Sequence, residues 1–345
     1  MNTTLLSQYF SIDAPFCDYT ITKTLLPLYG NFNGEHFEKR PSIPEPFLPL
    51  AKVIYEVFSQ EFTPEIIATN AIISSEVSKK DVLLGFSGGL DSAYHALELK
   101  SKGYNVHLFH FRGLNSYEGN NSYLCALEFA NKMGFELIEA CFKRRASFKM
   151  HWIENPIKNQ LIQSIMIDIA RERGYGNIAI GDDASMSFTR PDFILGTNTT
   201  DCREVQRSFE LCISNMIGQG IRFLMINREI GSTTMHKGER IKLLADNDVL
   251  DCYYSCVGAG RFNNYNHARS EQRYGVVLPK YNCGCFCAKC AMHNLLMHFQ
   301  GIANYPQDFI EACWERLWKT KHCNISSLFS PKIPLDERIH NLFIY

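Results

Sequence analysis

The stretch VLLGFSGGLDSAYHALELKSKG, residues 82 to 103, constrains the fold of this chain more than any other. A short apolar segment bounded by glycine, as a strand buried on both faces would be, breaks into Ser87-Gly88-Gly89-Leu90-Asp91-Ser92. Ala93, Leu97 and Leu99 then follow at amphipathic-helix spacing. The motif belongs on a strand-to-helix turn. Two adjacent glycines let the backbone approach a ligand with no Cβ in the way, and the unpaired amides that open a helix favour an anion. Phosphate is the expected ligand, although no lysine closes the loop as a Walker sequence requires, and the spacing is not the Gly-x-Gly-x-x-Gly of dinucleotide folds.

From residue 81 the chain alternates. Strands are predicted in DVLLGF, NVHLFHF, FELIEACF and NIAIGDD, helices in SAYHALELKSKG, SYLCALEFANKMG and KNQLIQSIMIDIARERG, and a further strand in IRFLMINRE. Such alternation predicts an α/β fold, a doubly wound parallel sheet with helices on both faces. Residues 1–80 read as an N-terminal appendage, with YTITKTLLPLYGNF extended, RPSIPEPFLPL proline-rich and AKVIYEVFSQEF helical. Residues 81–255 form the α/β core. Residues 256–345 hold a cysteine-rich zinc site, an insert and C-terminal helices in NLLMHFQGI and PQDFIEACWERLWKT.

With 345 residues, 46% of them apolar, the chain can bury a sizeable core, and a formal net charge of -1 gives no reason to expect nucleic acid or an anionic membrane as partner. The opening MNTTLLSQYFSIDAPF lacks a basic region followed by an apolar core, and no later stretch has the apolar length of a membrane span, so a cytoplasmic protein is expected. Thirteen cysteines, an odd number clustered near residue 285, then point to thiols and metal rather than disulfides. In YNCGCFCAKCAMHNLLMHF, Cys287-x-x-Cys290 has the spacing at which a tight turn points two sulfurs at one ion. Cys256, Cys283, Cys287 and Cys290 form the expected tetrahedral set for Zn2+, with Cys285 as the alternative to Cys283. The stretch between Cys256 and Cys283, rich in glycine, asparagine and tyrosine, reads as an ordered loop with too little apolar surface to fold independently.

Further candidates gather where strands end. Asp182 and Asp183 follow a predicted strand at its carboxyl end, where open α/β sheets bind ligands, and could hold Mg2+ or an amino group, or cap a helix. Asp201 and Arg203 follow a loop rich in Gly, Thr and Asn and could face a substrate or form a surface ion pair. KRRASFK, Lys143 to Lys149, reads as a solvated charge run, and His107 and His110 read as core or solvated residues of a strand.

Ser-Gly-Gly-x-Asp-Ser after a strand closely resembles the signature of the PP-loop ATP pyrophosphatases, which cleave ATP between its α and β phosphates. The resemblance implies that serine hydroxyls and glycine amides hold the leaving pyrophosphate and that the aspartate helps place Mg2+. It assigns Ser87, Asp91 and Ser92 as catalytic, and Phe86, Gly88, Gly89, Leu90, His110, Phe111 and Gly181 with them as the ATP-binding residues. From about residue 81 to 299 the order of motifs is similar to the 7-cyano-7-deazaguanine synthase family. The matching pieces are LFHFRGLN, PIKNQLIQSIMIDIA with Lys158 and Asn159, IAIGDDASMSFTRPDFILGTNTTDCREVQRSF, and the cysteine cluster. This implies a ligase that adenylates 7-carboxy-7-deazaguanine and passes it to a nitrogen nucleophile. Lys158, Asn159, Asp182, Asp183, Asp192, Asp201 and Arg203 would then meet the substrate. Two features depart from that family: 26 residues separate Cys256 from Cys283 where a short spacer is usual, and His293 stands where an arginine is common. With the extra N-terminal region they resemble a diverged member of the kind found in anti-phage defence systems; ammonia, giving an amide or nitrile, is one expected acceptor, and a protein amine is the alternative. A homodimer is a further expectation. The alternatives are a PP-loop tRNA thiolation enzyme and a non-catalytic nucleotide-binding module.

Overall fold

Val82, Leu83 and Leu84 are consecutive and fully buried, the mark of a strand covered on both faces. A computed structural model describes residues 10–12, 20–31, 39–57, 60–69, 76–112, 121–142, 158–180, 203–217, 221–225, 237–254 and 263–319. Its strands are β1 (Phe10–Ile12), β2 (Ser42–Pro44), β3 (Glu65–Ile67), β4 (Ser78–Gly85), β5 (Asn105–Arg112), β6 (Glu136–Phe142), β7 (Tyr175–Ile180) and β8 (Arg222–Met225). The chain divides into two compact units that interleave along the sequence: Met1–Gly85, Leu99–Asn115 and Glu136–Ile230 form the first, and Phe86–Glu98, Ser116–Phe135 and Gly231–Tyr345 the second. Boundaries at residues 80 and 255 do not coincide with this division.

The first unit carries a six-stranded sheet in the order β1-β6-β5-β4-β7-β8. All its pairs are parallel except β1 on β6, with Gly85 opposite Phe109 on one side and Ile180 on the other. Winding proceeds outward from β4 to β5 and β6, then reverses to β7 and β8, so the sheet is doubly wound. A parallel two-stranded sheet, β2 with β3, stands apart from it. The helices of the first unit are α1 (Thr20–Asn31), α2 (Leu48–Val57), α5 (Lys158–Arg173) and α6 (Arg203–Ile217), and the second unit holds α4 (Asn121–Met133), α7 (Lys237–Asp246), α8 (Asn263–Tyr274), α9 (Ala288–Phe299) and α10 (Gln307–Lys319). Helix α3 (Leu90–Ser101) begins in the second unit. Leu25, Leu50, Ile54, Phe109, Ile165, Met166, Ile178 and Phe209 are among the residues of one apolar core in the first unit. Among the described residues no helix is long and apolar enough to cross a membrane.

Two segments expected as extended or looped are helical. The threonines and the proline of TITKTLLPLYGN suggest extended chain, yet these residues form α1. Asp168, on α5, receives the Ile21 and Thr22 amides at 3.0 and 2.8 Å and the Thr22 hydroxyl at 2.7 Å, so a carboxylate about 146 residues away caps the helix. Residues Asn263–Tyr274, read as loop, form helix α8. Within residues 1–80, β1 extends the main sheet and α1 packs on α5.

Complete burial pushes the Asp168 carboxyl up from the ordinary value of 3.8 to about 6, against the opposing pull of its three hydrogen bonds. Between those values the folded chain holds a proton that the unfolded chain has lost, so stability contributed by this group falls as pH rises from 4 to 6. At ~1.4 kcal/mol per unit the loss is on the order of 3 kcal/mol. Thermal unfolding across this range is expected to show that decline in the native chain and a flatter profile in Asp168→Asn. Parallel profiles in the two proteins would remove Asp168 as the cause.

Candidate functional site

Strand β4 ends at Gly85, and Ser87, Gly88 and Gly89 carry the chain to α3. Gly88 has φ +79, and a Cβ there would lie 2.7 Å from the Ser122 carbonyl oxygen, so both backbone and neighbour demand glycine. Its carbonyl accepts the Tyr254 amide at 2.5 Å. Ser87 Oγ accepts the Gly89 amide at 3.3 Å and stands 3.2 Å from Ser92 Oγ, which donates to the Gly89 carbonyl at 3.0 Å. Ser87 is exposed and Ser92 buried, so the two hydroxyls of the motif meet across the turn where the helix amides begin. Phe86 and Leu90 are buried, with Phe86 stacked on Phe129 at 4.9 Å. Only their backbones could meet a ligand here.

Asp91, in the first turn of α3, has a partner that no motif announces. Arg240 Nη1, from α7, donates to Asp91 Oδ1 at 2.6 Å. The guanidinium side chain is 2% exposed, the carboxylate 35%. The Arg240 guanidinium also lies over the Tyr94 ring, 5.2 Å from its centre. KGERIKLLAD reads as an ordinary amphipathic helix, and no spacing in it singles out the arginine. His293 is buried, 3.3 Å through Nδ1 from the Tyr253 hydroxyl. Burial, and next the positive charge of Lys237, hold its imidazole down to about 3, so it is neutral at physiological pH.

The cysteine turn leads into α9 (Ala288–Phe299). Cys283, Cys287 and Cys290 bring their sulfurs within 4.8 Å of one another. Thiolates around one zinc lie roughly 3.7 Å apart, from Zn–S bonds of about 2.3 Å, so these sulfurs fit a metal after small rotamer shifts. The Cys290 amide points at Cys287 Sγ and the Cys283 amide at Cys290 Sγ, each at 3.4 Å, as charged sulfurs require. Cys285 does not join them: its carbonyl accepts Arg316 Nε at 2.9 Å, and its thiol lies by Tyr274. Of Cys283 and Cys285 it is Cys283 whose sulfur stands with those of Cys287 and Cys290, and Gly284 at φ +71 turns the chain between the two. A Cβ on Gly284 would lie 2.8 Å from Ser270 Oγ on α8, and His267 of α8 meets the Asn282 carbonyl at 2.8 Å. Helix α8 therefore braces the cysteine turn. Tyr254 and Tyr281 pack with Cys125, Cys283 and Cys290. Cys256, the expected fourth ligand, lies outside the described residues, two positions beyond Tyr254.

Other expected site residues are dispersed or undescribed. His110 and Phe111 lie on β5 in the first unit, His110 buried and Phe111 packed on the apolar core. His107 bridges Glu136 at 2.8 Å and Asp81 at 3.2 Å and stacks on Tyr175, a role within the amino ends of the strands. Lys158 and Asn159 open α5, and Arg203 opens α6. Gly181, Asp182, Asp183, Asp192, Asp201 and the run Lys143–Lys149 lie outside the described residues.

No protein-family model matches this chain. No curated protein matches it either. Among solved structures, a predicted subunit of tRNA methyltransferase from Methanocaldococcus jannaschii is 24% identical, over 42% of this chain and 66% of that one, with a TM-score of 0.26. The U34-tRNA thiolase NcsA from Methanococcus maripaludis, solved with its 4Fe-4S cluster, is 16% identical over 50% of this chain and 68% of that one, also with a TM-score of 0.26. The chain thus spans about two thirds of each neighbour's length, and superposition this loose bears neither on its fold nor on its activity.

Proposed function

We propose that this chain is an ATP pyrophosphatase of the PP-loop type, which activates a carboxylate as its adenylate and passes the acyl group to a nitrogen nucleophile. One observation carries the reading: the Ser87–Ser92 motif forms a glycine turn at a helix start, with both serine hydroxyls and the Asp91 carboxylate gathered beside it. Helix amides and hydroxyls of this kind hold the pyrophosphate that leaves as the carboxylate attacks the α-phosphorus. Asp91 would hold Mg2+, which offsets charge on the phosphate oxygens. AMP then leaves as the amine attacks. Zinc would sit on Cys283, Cys287 and Cys290 with Cys256 completing the set, and a full thiolate set leaves no open position for water, so its role is structural.

The finer identity, 7-carboxy-7-deazaguanine as the carboxylate and ammonia or a protein amine as the nucleophile, rests on the order of motifs between residues 81 and 299. The test is incubation with ATP, Mg2+ and that acid, with and without ammonium. AMP and pyrophosphate are expected only with the acid present, together with an amide or nitrile product by mass spectrometry when ammonium is added. ADP and phosphate as products would overturn the reading. Release of AMP with a different carboxylic acid would keep the chemistry and replace the substrate, and acid-dependent AMP without an ammonium product would point to the protein amine.

A further inference from the structure

Asp91 poses an electrostatic problem. A helix start that must take a polyphosphate carries, in its first turn, a carboxylate that repels one. Within the second unit the answer lies on α7. We infer that Arg240 is a positioning residue that offsets the Asp91 charge and holds its carboxylate aside, so that the Ser87–Ser92 loop can accept a polyphosphate before any metal ion arrives. This rests on the reading of the loop as a phosphate site.

Three observations support the role. The contact is a charge-assisted hydrogen bond at 2.6 Å, from a guanidinium that is only 2% exposed and therefore held by its surroundings rather than roaming at the surface. The Tyr94 ring beneath the guanidinium, 5.2 Å away on α3 itself, fixes its plane against the helix that presents Asp91. The buried neighbour His293 is uncharged at physiological pH and does not supply the balancing charge. Arginine suits the position because its charge persists when buried, where a lysine could shed its proton.

The experiment measures pyrophosphate binding by calorimetry in EDTA, so that neither metal nor turnover enters. The native chain is expected to bind. Arg240→Met is expected to bind about tenfold more weakly or worse, because an unbalanced carboxylate then faces the anion across a short distance. The double variant Arg240→Met with Asp91→Asn, which is balanced again, is expected to recover most of the affinity, a rescue that a purely structural arginine would not permit. Adding Mg2+ should narrow the gap between Arg240→Met and the native chain. Equal binding by native and Arg240→Met proteins, or no recovery in a double variant with native thermal stability, would overturn the inference while leaving the phosphate site in place. A double variant that does not fold would make Arg240 a fold residue and overturn it as well. Failure of the native chain to bind pyrophosphate at all would remove the phosphate site, and the inference with it.

Discussion

Asp91→Asn is expected to lower pyrophosphate release by about a thousandfold, since on the proposed function it withdraws the carboxylate that would place the metal against the leaving phosphates; single electrostatic contributors at such sites carry 10²- to 10³-fold or so. The isosteric amide is the informative change. Judged by sequence, Asp91→Ala would look harmless to the fold, because it deletes a charge and no apolar volume. The structure changes that expectation, because Asp91 answers a guanidinium that is 2% exposed, and alanine would strip that buried cation of its 2.6 Å carboxylate contact. Breaking a fully buried pair costs about 3–5 kcal/mol, and the partial exposure of Asp91 reduces this to about 2–3 kcal/mol. Asparagine keeps an oxygen to accept from Arg240. The expected pattern is loss of activity at near-native thermal stability for Asp91→Asn, and loss of both for Asp91→Ala. Measured pyrophosphate release within a few fold of native in Asp91→Asn would withdraw the metal-placing role.

Removal of the metal is expected to unfold the second unit's cysteine region rather than merely silence it. Ligation free energies of roughly 10–16 kcal/mol for structural zinc match or exceed the whole stability of a typical domain, about 5–15 kcal/mol. Purified protein should carry about one zinc per chain by elemental analysis, and Cys283→Ser or Cys290→Ser should lose both the ion and most soluble protein. Cys285→Ser should retain the ion, since that thiol stands by Tyr274 and apart from the three clustered sulfurs. The reverse outcome, metal lost with Cys285 and kept without Cys283, would contradict the geometry of the turn. Iron with visible charge-transfer absorption would instead identify a cluster and move the chemistry toward sulfur transfer. The same region bears on the acceptor. Helix α8 braces Asn282 and Gly284 through His267 and Ser270, so deleting residues 263–274 should cost metal retention, which a free docking loop would not.

Much of the candidate site was legible because its parts are local. The glycine turn and the Cys287-x-x-Cys290 pair are each set within six residues or fewer, where backbone sterics and hydrogen-bonding geometry leave little choice, and the helix after the turn shows its apolar spacing within its own 12 residues. Arg240 was not legible, since it lies 149 residues from Asp91 and nothing in its own helix distinguishes it from a solvated arginine.

By itself the sequence determined the alternation of strands and helices, the parallel character of the sheet and the place of the glycine turn after an apolar strand, all through side-chain periodicity and glycine. Only the tertiary structure decided the rest. The segment TITKTLLPLYGN is a helix because a carboxylate from α5 satisfies its first amides, a partner that propensity does not see. Asn263–Tyr274 is a helix because Ser270 and Asn266 are buried and His267 is tied to the Asn282 carbonyl, despite a composition that reads as loop. Cys283, and not Cys285 across the left-handed turn at Gly284, stands with the sulfurs of Cys287 and Cys290, and Asp91 acquired its counter-charge from α7. Apart from the local turn at Gly284, the deciding contacts join residues whose neighbours in sequence carry no record of one another.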